Sequence, residues 1–265
     1  MRVLVTIPIS HFCEKARWAL ERAGLSYAEE RHVQGVHMLM ARRAGGGSTV
    51  PVLIAPEGVF AESEEILAYA DEALPEELRL FPGDPVLRSE VESLSRRLDE
   101  GLGPDGRRLM YVNMLRHRQL MLKVNNQGVP PRERRFLAAS WPLATRFAKR
   151  KLGIRPRSEV EDEIRVWRAF DEIAERLSDG RPFLCGDRFT AADVTFAALA
   201  AALVVPAEYG VALPQPEILP ASIAKNVRAF RAHPAGEYAM RIFREERRST
   251  ADASGEWRRV AAPPL

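Results

Sequence analysis

The spacing of apolar residues changes once along the chain, and this change limits the folds that the sequence can adopt. Over residues 1–75, short β-rich runs alternate with runs of helical spacing, in the order strand, helix, strand, helix, strand, strand, helix. Pro75, Pro82 and Pro85 then interrupt the chain, and no strand pattern persists beyond them. The sequence therefore predicts an α/β domain with a small mixed sheet, followed by an all-helical domain.

The same pattern predicts where the domains meet. We expect the sheet-containing domain at residues 1–75, a linker at 76–85, the helical domain at 86–248 and a flexible tail at 249–265. In the helical domain, continuous helical periodicity covers six segments: 86–102, 107–124, 132–152, 159–177, 191–205 and 223–246. Gly103 and Pro104 are expected in a loop between the first two.

Composition excludes several classes of protein. Of the 265 residues, 46% are hydrophobic and 28% are charged, which excludes wholesale disorder. The two cysteines are too few for a disulfide framework or a four-thiolate zinc site, and we expect no metal. The start lacks the pattern of a secretory signal, and the longest apolar run, 196–205, is about half of the ~20 residues that span a bilayer. We expect a cytoplasmic protein without a membrane span.

Charge is distributed unevenly along the chain. A basic segment, residues 105–157, holds 14 lysines and arginines and only two acidic residues, so its net charge is +12 and that of the rest is −9. Such a segment can bind an anionic partner, or its cations can lie on solvated helix faces that pair with the acidic remainder. Aromatic residues are not regularly interleaved with the cations, so we do not expect nucleic-acid binding.

The turn Ser10-His11-Phe12-Cys13 lies where the first strand meets the first helix. A helix N-terminus favours an anion and can lower the pKa of a thiol there. Ser10 is placed to donate a hydrogen bond to an incoming thiolate, although it is equally explained as a helix cap. Cys13 is a second candidate for thiol chemistry, or a small buried apolar residue.

The second feature, Val50-Pro51, precedes a predicted hairpin. Proline cannot donate to a sheet ladder, so Pro51 belongs at a strand start or in a cis turn. A cis bond would leave the backbone of Val50 free to pair with an extended peptide, whereas a trans edge proline would carry no such meaning.

Glu62-Ser63 opens the next predicted helix. The Ser63 hydroxyl and the first N–H groups can bind a carboxylate, and Glu62 can accept from an ammonium beside it. Far along the chain, Thr190 and Asp193 have the spacing of a capping box, which we interpret as structural.

Taken together, in this order and spacing, these features resemble the glutathione S-transferase superfamily, in its serine-type, bacterial-like form. The resemblance covers residues 1–245. It implies a thioredoxin-like first domain (βαβαββα), an all-helical second domain, glutathione as co-substrate, a small-molecule electrophile, a homodimer and a role in detoxification.

The resemblance also implies site residues. Ser10 would bind the glutathione sulfur, with Cys13 as the lesser catalytic candidate. Those implied for binding glutathione are Phe12, His37, Val50, Pro51, Glu62 and Ser63. Many members have proline where this chain has His11. Relatives often offer Lys or Gln to the glycyl carboxylate where this chain has the glycine-rich residues 45–49, so His37, Arg42 and Arg43 are the candidates for that contact.

Beyond the linker, Met110, Tyr111 and Met114 give adaptable apolar surface suited to an electrophile pocket between the domains, or they belong to the helix-bundle core. The main prediction is an enzyme that activates the glutathione thiol for attack on a hydrophobic electrophile. Two alternatives are a non-catalytic binding protein that uses the basic segment, and a glutathione-dependent thiol–disulfide transferase that uses Cys13.

Overall fold

The computed structural model describes residues 1–155 and 158–247. The expected tail, 249–265, and Arg157 of the basic segment lie outside the described residues. Within the described part, no helix is long and apolar enough to span a membrane. No cluster of His, Cys, Asp or Glu in that part could hold a metal ion.

The first domain is a four-stranded sheet with three helices, and its element order is the predicted one. The strands β1 to β4 are Arg2–Thr6, Tyr27–Arg31, Val52–Ala55 and Gly58–Phe60, and the helices α1 to α3 are His11–Arg22, Val36–Arg43 and Ser63–Asp71. The strand order is β2-β1-β3-β4. Strand β1 is parallel to β2 and antiparallel to β3, with Val5 opposite Val52, and β3 and β4 form a hairpin.

The rest of the described chain is helical. After a single 3₁₀ turn at Glu76–Leu78, helices α4 to α12 are Pro85–Glu100, Leu102–Met114, Arg118–Asn125, Pro131–Ala139, Trp141–Lys151, Ser158–Arg176, Ala191–Val204, Ala221–Ala232 and Pro234–Glu246. This is the thioredoxin-like and helical architecture that the sequence predicts.

Three of the six predicted helical segments are each divided in two. Segment 132–152 is divided between α7 and α8, and 223–246 between α11 and α12. In both cases a proline, Pro142 or Pro234, lies in the first turn of the second helix, where its missing N–H is harmless. The third, 107–124, is divided between α5 and α6. The prediction of a loop at Gly103–Pro104 is wrong, because α5 begins at Leu102 and holds that proline in its first turn.

One hydrophobic core joins the two domains. Helix α10 is buried on nearly every side, and the core around it includes Trp18 of α1, Leu53 of β3 and Phe170 of α9. The predicted capping box at its start is present: the Asp193 carboxylate accepts from the Thr190 N–H at 2.7 Å. It also accepts from the Leu184 N–H and the Tyr238 hydroxyl. This shared core fixes how the sheet domain faces the helices.

Candidate active site

A cleft of about 490 Å³ separates the sheet domain from helices α5, α7 and α8. The sheet domain contributes the β1–α1 turn, the start of α2 and the segment before β3. The helical domain contributes one face of α5 and the facing sides of α7 and α8. The residues that line the cleft include Ser10, His11, His37, Val50, Arg107 and Tyr111.

Ser10 is the N-cap of α1 and lines the cleft. Its hydroxyl oxygen accepts a hydrogen bond from the Cys13 N–H at 3.3 Å. A hydroxyl has one proton to donate besides its acceptor sites, so this cap does not use the Ser10 proton. The cap and the thiolate donor, which the sequence presents as alternatives, are therefore compatible in one side chain.

A buried network of charges holds the turn that presents Ser10. The Arg17 guanidinium donates to Glu29 at 2.8 Å and to Glu14 at 3.2 Å. It also donates to the carbonyls of Ile7 and Pro8, at 3.3 and 3.2 Å, in the turn itself. Because the side chain of Arg17 is 1% exposed, these bonds are shielded from water. The β1–α1 turn is therefore fixed before any ligand arrives.

The segment before β3 lies beside Ser10 in the cleft. The Val50–Pro51 peptide bond is cis, and Val50 lines the cleft together with Gln34 and His37. Burial, and to a lesser degree the charge of Lys151, lowers the pKa of His37 to about 4. His37 is therefore neutral at pH 7 and offers hydrogen bonds rather than a positive charge.

The predicted electrophile residues are divided between two cavities. Met110 and Tyr111 line the cleft, and the buried Tyr111 hydroxyl accepts a bond from Gln34 at 3.2 Å. Met114 does not line the cleft; together with Met110 it lines a second apolar cavity of about 90 Å³, formed mainly by the helical domain. Met110 and Met114 lie one helical turn apart on the same face of α5, so Met110 reaches both cavities whereas Met114 lies beyond the edge of the cleft.

The outer wall of the cleft, formed by α7 and α8, is not evident from the sequence. Phe136, Leu143 and Phe147 of α7 and α8 line it although they are 57%, 70% and 49% exposed. Two cations of the basic segment, Arg107 and Lys151, line it as well. The unbalanced charge of that segment was the available signal, but periodicity does not tell which cation of a helix faces a cleft.

Helix α7 is fastened to the sheet domain through one buried acid. The Glu133 carboxylate lies 2.9 Å from Nδ1 of His32 and accepts from the Val33 N–H at 3.2 Å. Helix α8 follows, and none of its residues, all described, is buried. An apolar cluster that includes Val33, Leu137 and Trp141 adds to this link, so the position of the outer wall depends on Glu133 together with this packing.

Other cations of the basic segment pair with acids of α9. Arg108 donates to Asp162 at 2.9 Å, and Arg116 lies 3.9 Å from Glu159. This is the pairing with the acidic remainder that one interpretation of the segment expects.

Comparison with protein families decides the class of this molecule. The model described as "Glutathione S-transferase, N-terminal domain" matches residues 4–78, and the one described as "Glutathione S-transferase, C-terminal domain" matches residues 159–233. The chain belongs to the glutathione S-transferase superfamily. Glutathione is the co-substrate of this family, and the chain is a glutathione transferase-like enzyme. A search of the curated proteins finds no match.

Solved structures share the fold of this transferase at low identity. A glutathione S-transferase from Rhodospirillum rubrum F11 is 21% identical, with a TM-score of 0.60, over 100% of this chain and 96% of that one. Glutathione transferase F2 from Populus trichocarpa is 15% identical, with a TM-score of 0.61, over 96% and 99%. A glutathione S-transferase from Methylobacillus flagellatus KT, solved with glutathione bound, is 15% identical, with a TM-score of 0.54, over 90% and 98%.

The Cys13 thiol of this transferase lies outside the cleft. It is fully buried in α1, and burial raises its pKa, against a smaller opposing effect of Arg17. A buried thiol with a raised pKa is a poor nucleophile. Phe12, another predicted contact, packs below the cleft against Gly103, with its ring 5.8 Å from the Arg107 guanidinium.

Glu62 and Ser63 lie at the start of α3, beyond the residues that line the cleft. Glu62 is the N-cap and Ser63 the first helical residue, so the capping role falls one residue earlier than the sequence suggests. The Glu65 carboxylate accepts from the N–H groups of Ala61 and Glu62. Partial burial, and then the charge of Glu65, raises the pKa of Glu62.

Proposed function

We propose that this transferase binds glutathione along the sheet-domain wall of the cleft and transfers its sulfur to a small hydrophobic electrophile held by α5, α7 and α8. One observation carries the proposal: Ser10, the N-cap of α1, lines the cleft at the N-terminus of that helix, opposite an apolar wall.

Ser10 and the helix together supply the energy that thiol activation needs. A free thiol with a pKa of about 8.5 is only a few per cent ionised at pH 7. One hydrogen bond to a charged group is worth roughly 1.5–3 kcal/mol, or about 1–2 pKa units. The N-terminus of α1 adds to this stabilisation. Ser10 acts as a donor that keeps its own proton.

The reaction is a displacement or an addition by sulfur. The glutathione thiol releases its proton to solvent, and the thiolate forms a carbon–sulfur bond with the electrophile. With an aryl halide, the carbon–halogen bond breaks and halide leaves with its electron pair. The apolar side chains of the outer wall shield the acceptor from water and leave room for varied shapes.

With the sulfur beside Ser10, the contacts of the rest of the tripeptide can be proposed. The backbone of Val50 would pair with the cysteinyl unit, and the start of α3, with Glu62 and Ser63, would bind the γ-glutamyl end. At the glycyl end, His37 is joined by Lys151, whose ammonium donates to the Ser48 carbonyl at 3.4 Å. Lys151 is therefore added to the candidates for the glycyl carboxylate.

The family resemblance supports three further parts of the proposal: a two-fold homodimer, a cytoplasmic location and a role in detoxification. Light scattering of the purified chain tests the first.

The decisive experiment is calorimetric titration with glutathione at millimolar concentration, followed by a conjugation assay with 1-chloro-2,4-dinitrobenzene. We expect saturable heat and glutathione-dependent release of chloride. Absence of both from folded protein would refute the proposal.

Three sets of substitutions separate the alternatives. If the chain is a non-catalytic binding protein, Ser10→Ala leaves its output intact, and charge reversal at the exposed Arg134, Arg135, Lys149 and Arg150 abolishes it. If Cys13 performs thiol–disulfide transfer, Cys13→Ser abolishes glutathione-dependent disulfide reduction. The burial of Cys13 favours activation of glutathione by Ser10 over thiol–disulfide transfer by Cys13.

A further inference from the structure

The charges that line the cleft are all of one sign. Arg107 and Lys151 line it, and no aspartate or glutamate of the described residues does. Arg107 and its neighbour Arg108 differ sharply. Arg108 pairs with Asp162, whereas no carboxylate of the described part of the chain forms an ion pair with Arg107, and its Nε is buried without a hydrogen-bond partner.

Arg107 also lies in surroundings that disfavour its charge. Burial, together with the charge of Arg108, lowers its pKa, although Tyr111 opposes this. The pKa of Lys151 is lowered by burial and by the charge of Arg107. Two mutually repelling cations at one cleft, without an acid between them, are stabilised by an incoming anion.

Arg107 and Lys151 lie toward different parts of the cleft. Lys151 bonds to Ser48, within the glycine-rich loop at the glycyl end. Arg107 precedes Tyr111 by one helical turn on α5, and its guanidinium lies over the ring of Phe12. Arg107 thus lies beside the turn that presents Ser10, next to the position proposed for the reacting sulfur, and Lys151 lies toward the glycyl end.

We propose that Arg107 binds an acidic group on the electrophile, so that this transferase prefers apolar, aromatic-sized acceptors that carry a carboxylate. The inference rests on the proposed function and adds the substrate class. Arginine suits this task because its planar guanidinium offers paired donors to a carboxylate.

A matched pair of acceptors tests this preference: 4-chloro-3-nitrobenzoate and 4-chloro-3-nitrobenzamide. In each, the glutathione thiolate forms a carbon–sulfur bond, chloride leaves with its electron pair, and the thiol proton goes to solvent. The readout is the ratio of kcat/KM for the benzoate to kcat/KM for the benzamide.

We expect Arg107→Gln to lower that ratio by about tenfold or more, the loss of one charge-assisted hydrogen bond. In Arg107→Lys, which keeps the charge, the ratio should lie between those of Arg107→Gln and the wild type. Arg116→Gln, a control at an exposed cation after α5, should leave the ratio unchanged. An unchanged ratio in Arg107→Gln would overturn the proposal. An equal loss of kcat/KM for both acceptors, together with weaker glutathione binding, would also overturn it, because Arg107 would then bind glutathione rather than the electrophile.

Wild-type protein gives a second test that does not depend on folding of a variant. 3-Nitrobenzoate should inhibit competitively against the acceptor more strongly than 3-nitrobenzamide, and equal inhibition would overturn the inference. If the chain neither binds glutathione nor conjugates, the proposed function fails. Calorimetry with the two nitrobenzene derivatives then still tests the anion site, since tighter binding of the benzoate supports it and equal binding refutes it.

Discussion

The wall of the cleft that contains Ser10 is tightly bonded, whereas the wall formed by α7 and α8 is held by few contacts. Behind Ser10, Arg17 makes four hydrogen bonds, two of them to carbonyls of the turn. Opposite it, α8 has no buried residue and presents Leu143 and Phe147 to solvent. The difference fits a division of labour, in which the thiol side is rigid because it must stabilise a charge and the acceptor side adapts to different shapes.

The largest expected effect is on the rigid wall. Arg17→Met removes one of the two arginine partners of each carboxylate, since Glu14 keeps Arg247 and Glu29 keeps Arg31. Breaking a buried pair costs up to about 3–5 kcal/mol. Urea unfolding measures the loss. Arg150→Met, at an exposed cation of α8, should change stability by less than about 0.5 kcal/mol. Equal effects of the two variants would show that the walls are not built differently.

The rigid wall should also make the protein sensitive to acid. Burial, and then the charge of Arg107, lowers the pKa of His11 from 6.5 to about 3. The unfolded chain therefore takes up a proton below pH 6.5 that the folded chain refuses, so stability falls as pH falls from 6.5 toward 3. Between pH 6.5 and 5 this costs about 2 kcal/mol at 1.36 kcal/mol per unit. His37, whose pKa is lowered to about 4, acts in the same direction.

Urea midpoints at pH 7 and pH 5, for the wild type and His11→Asn, measure the effect. The variant should lose less stability on acidification than the wild type. The same loss in both proteins would contradict a neutral, buried His11.

The adaptable wall should loosen when its link to the sheet domain is removed. Glu133→Ala deletes the acceptor for His32 and for the Val33 N–H, and an unsatisfied buried group costs about 1–3 kcal/mol. Hydrogen exchange should accelerate over residues 131–151 while residues 63–71 keep their protection. Glu159→Ala, at a half-exposed acid of α9, is the matched control. Equal acceleration in both regions would mean that Glu133 supports the whole fold rather than one wall.

The smallest effect is expected at the surface of the adaptable wall. Phe147→Ala should change stability by less than about 0.5 kcal/mol, because the ring is half-exposed. It should nevertheless raise KM for an apolar acceptor, whereas Val160→Ala, an exposed apolar residue of α9 outside the cleft, should not. A large stability loss in Phe147→Ala would show that α8 is packed after all.

The fold of the first domain can be predicted almost completely from the sequence, because the signals for its strands, turns and helices are local. Alternating runs, the turn before α1 and the hairpin after Pro51 predict the order of the strands and helices. The α7–α8 break was missed because helical spacing continues across Ser140 while the chain changes direction. Arg107, Lys151 and Glu133 were missed because their roles depend on contacts between domains, which no pattern within one helix reveals.

The central claim is that a thiol bound beside Ser10 loses its proton more readily than it does in water. The ultraviolet absorbance of the thiolate, followed against pH for glutathione bound to the wild type and to Ser10→Ala, measures this directly. We expect the thiol pKa in the wild type to lie about 2 units below the free value of about 8.5, and that in Ser10→Ala to rise by about 1–2 units. Bound glutathione that titrates as it does in free solution in both proteins would contradict the account.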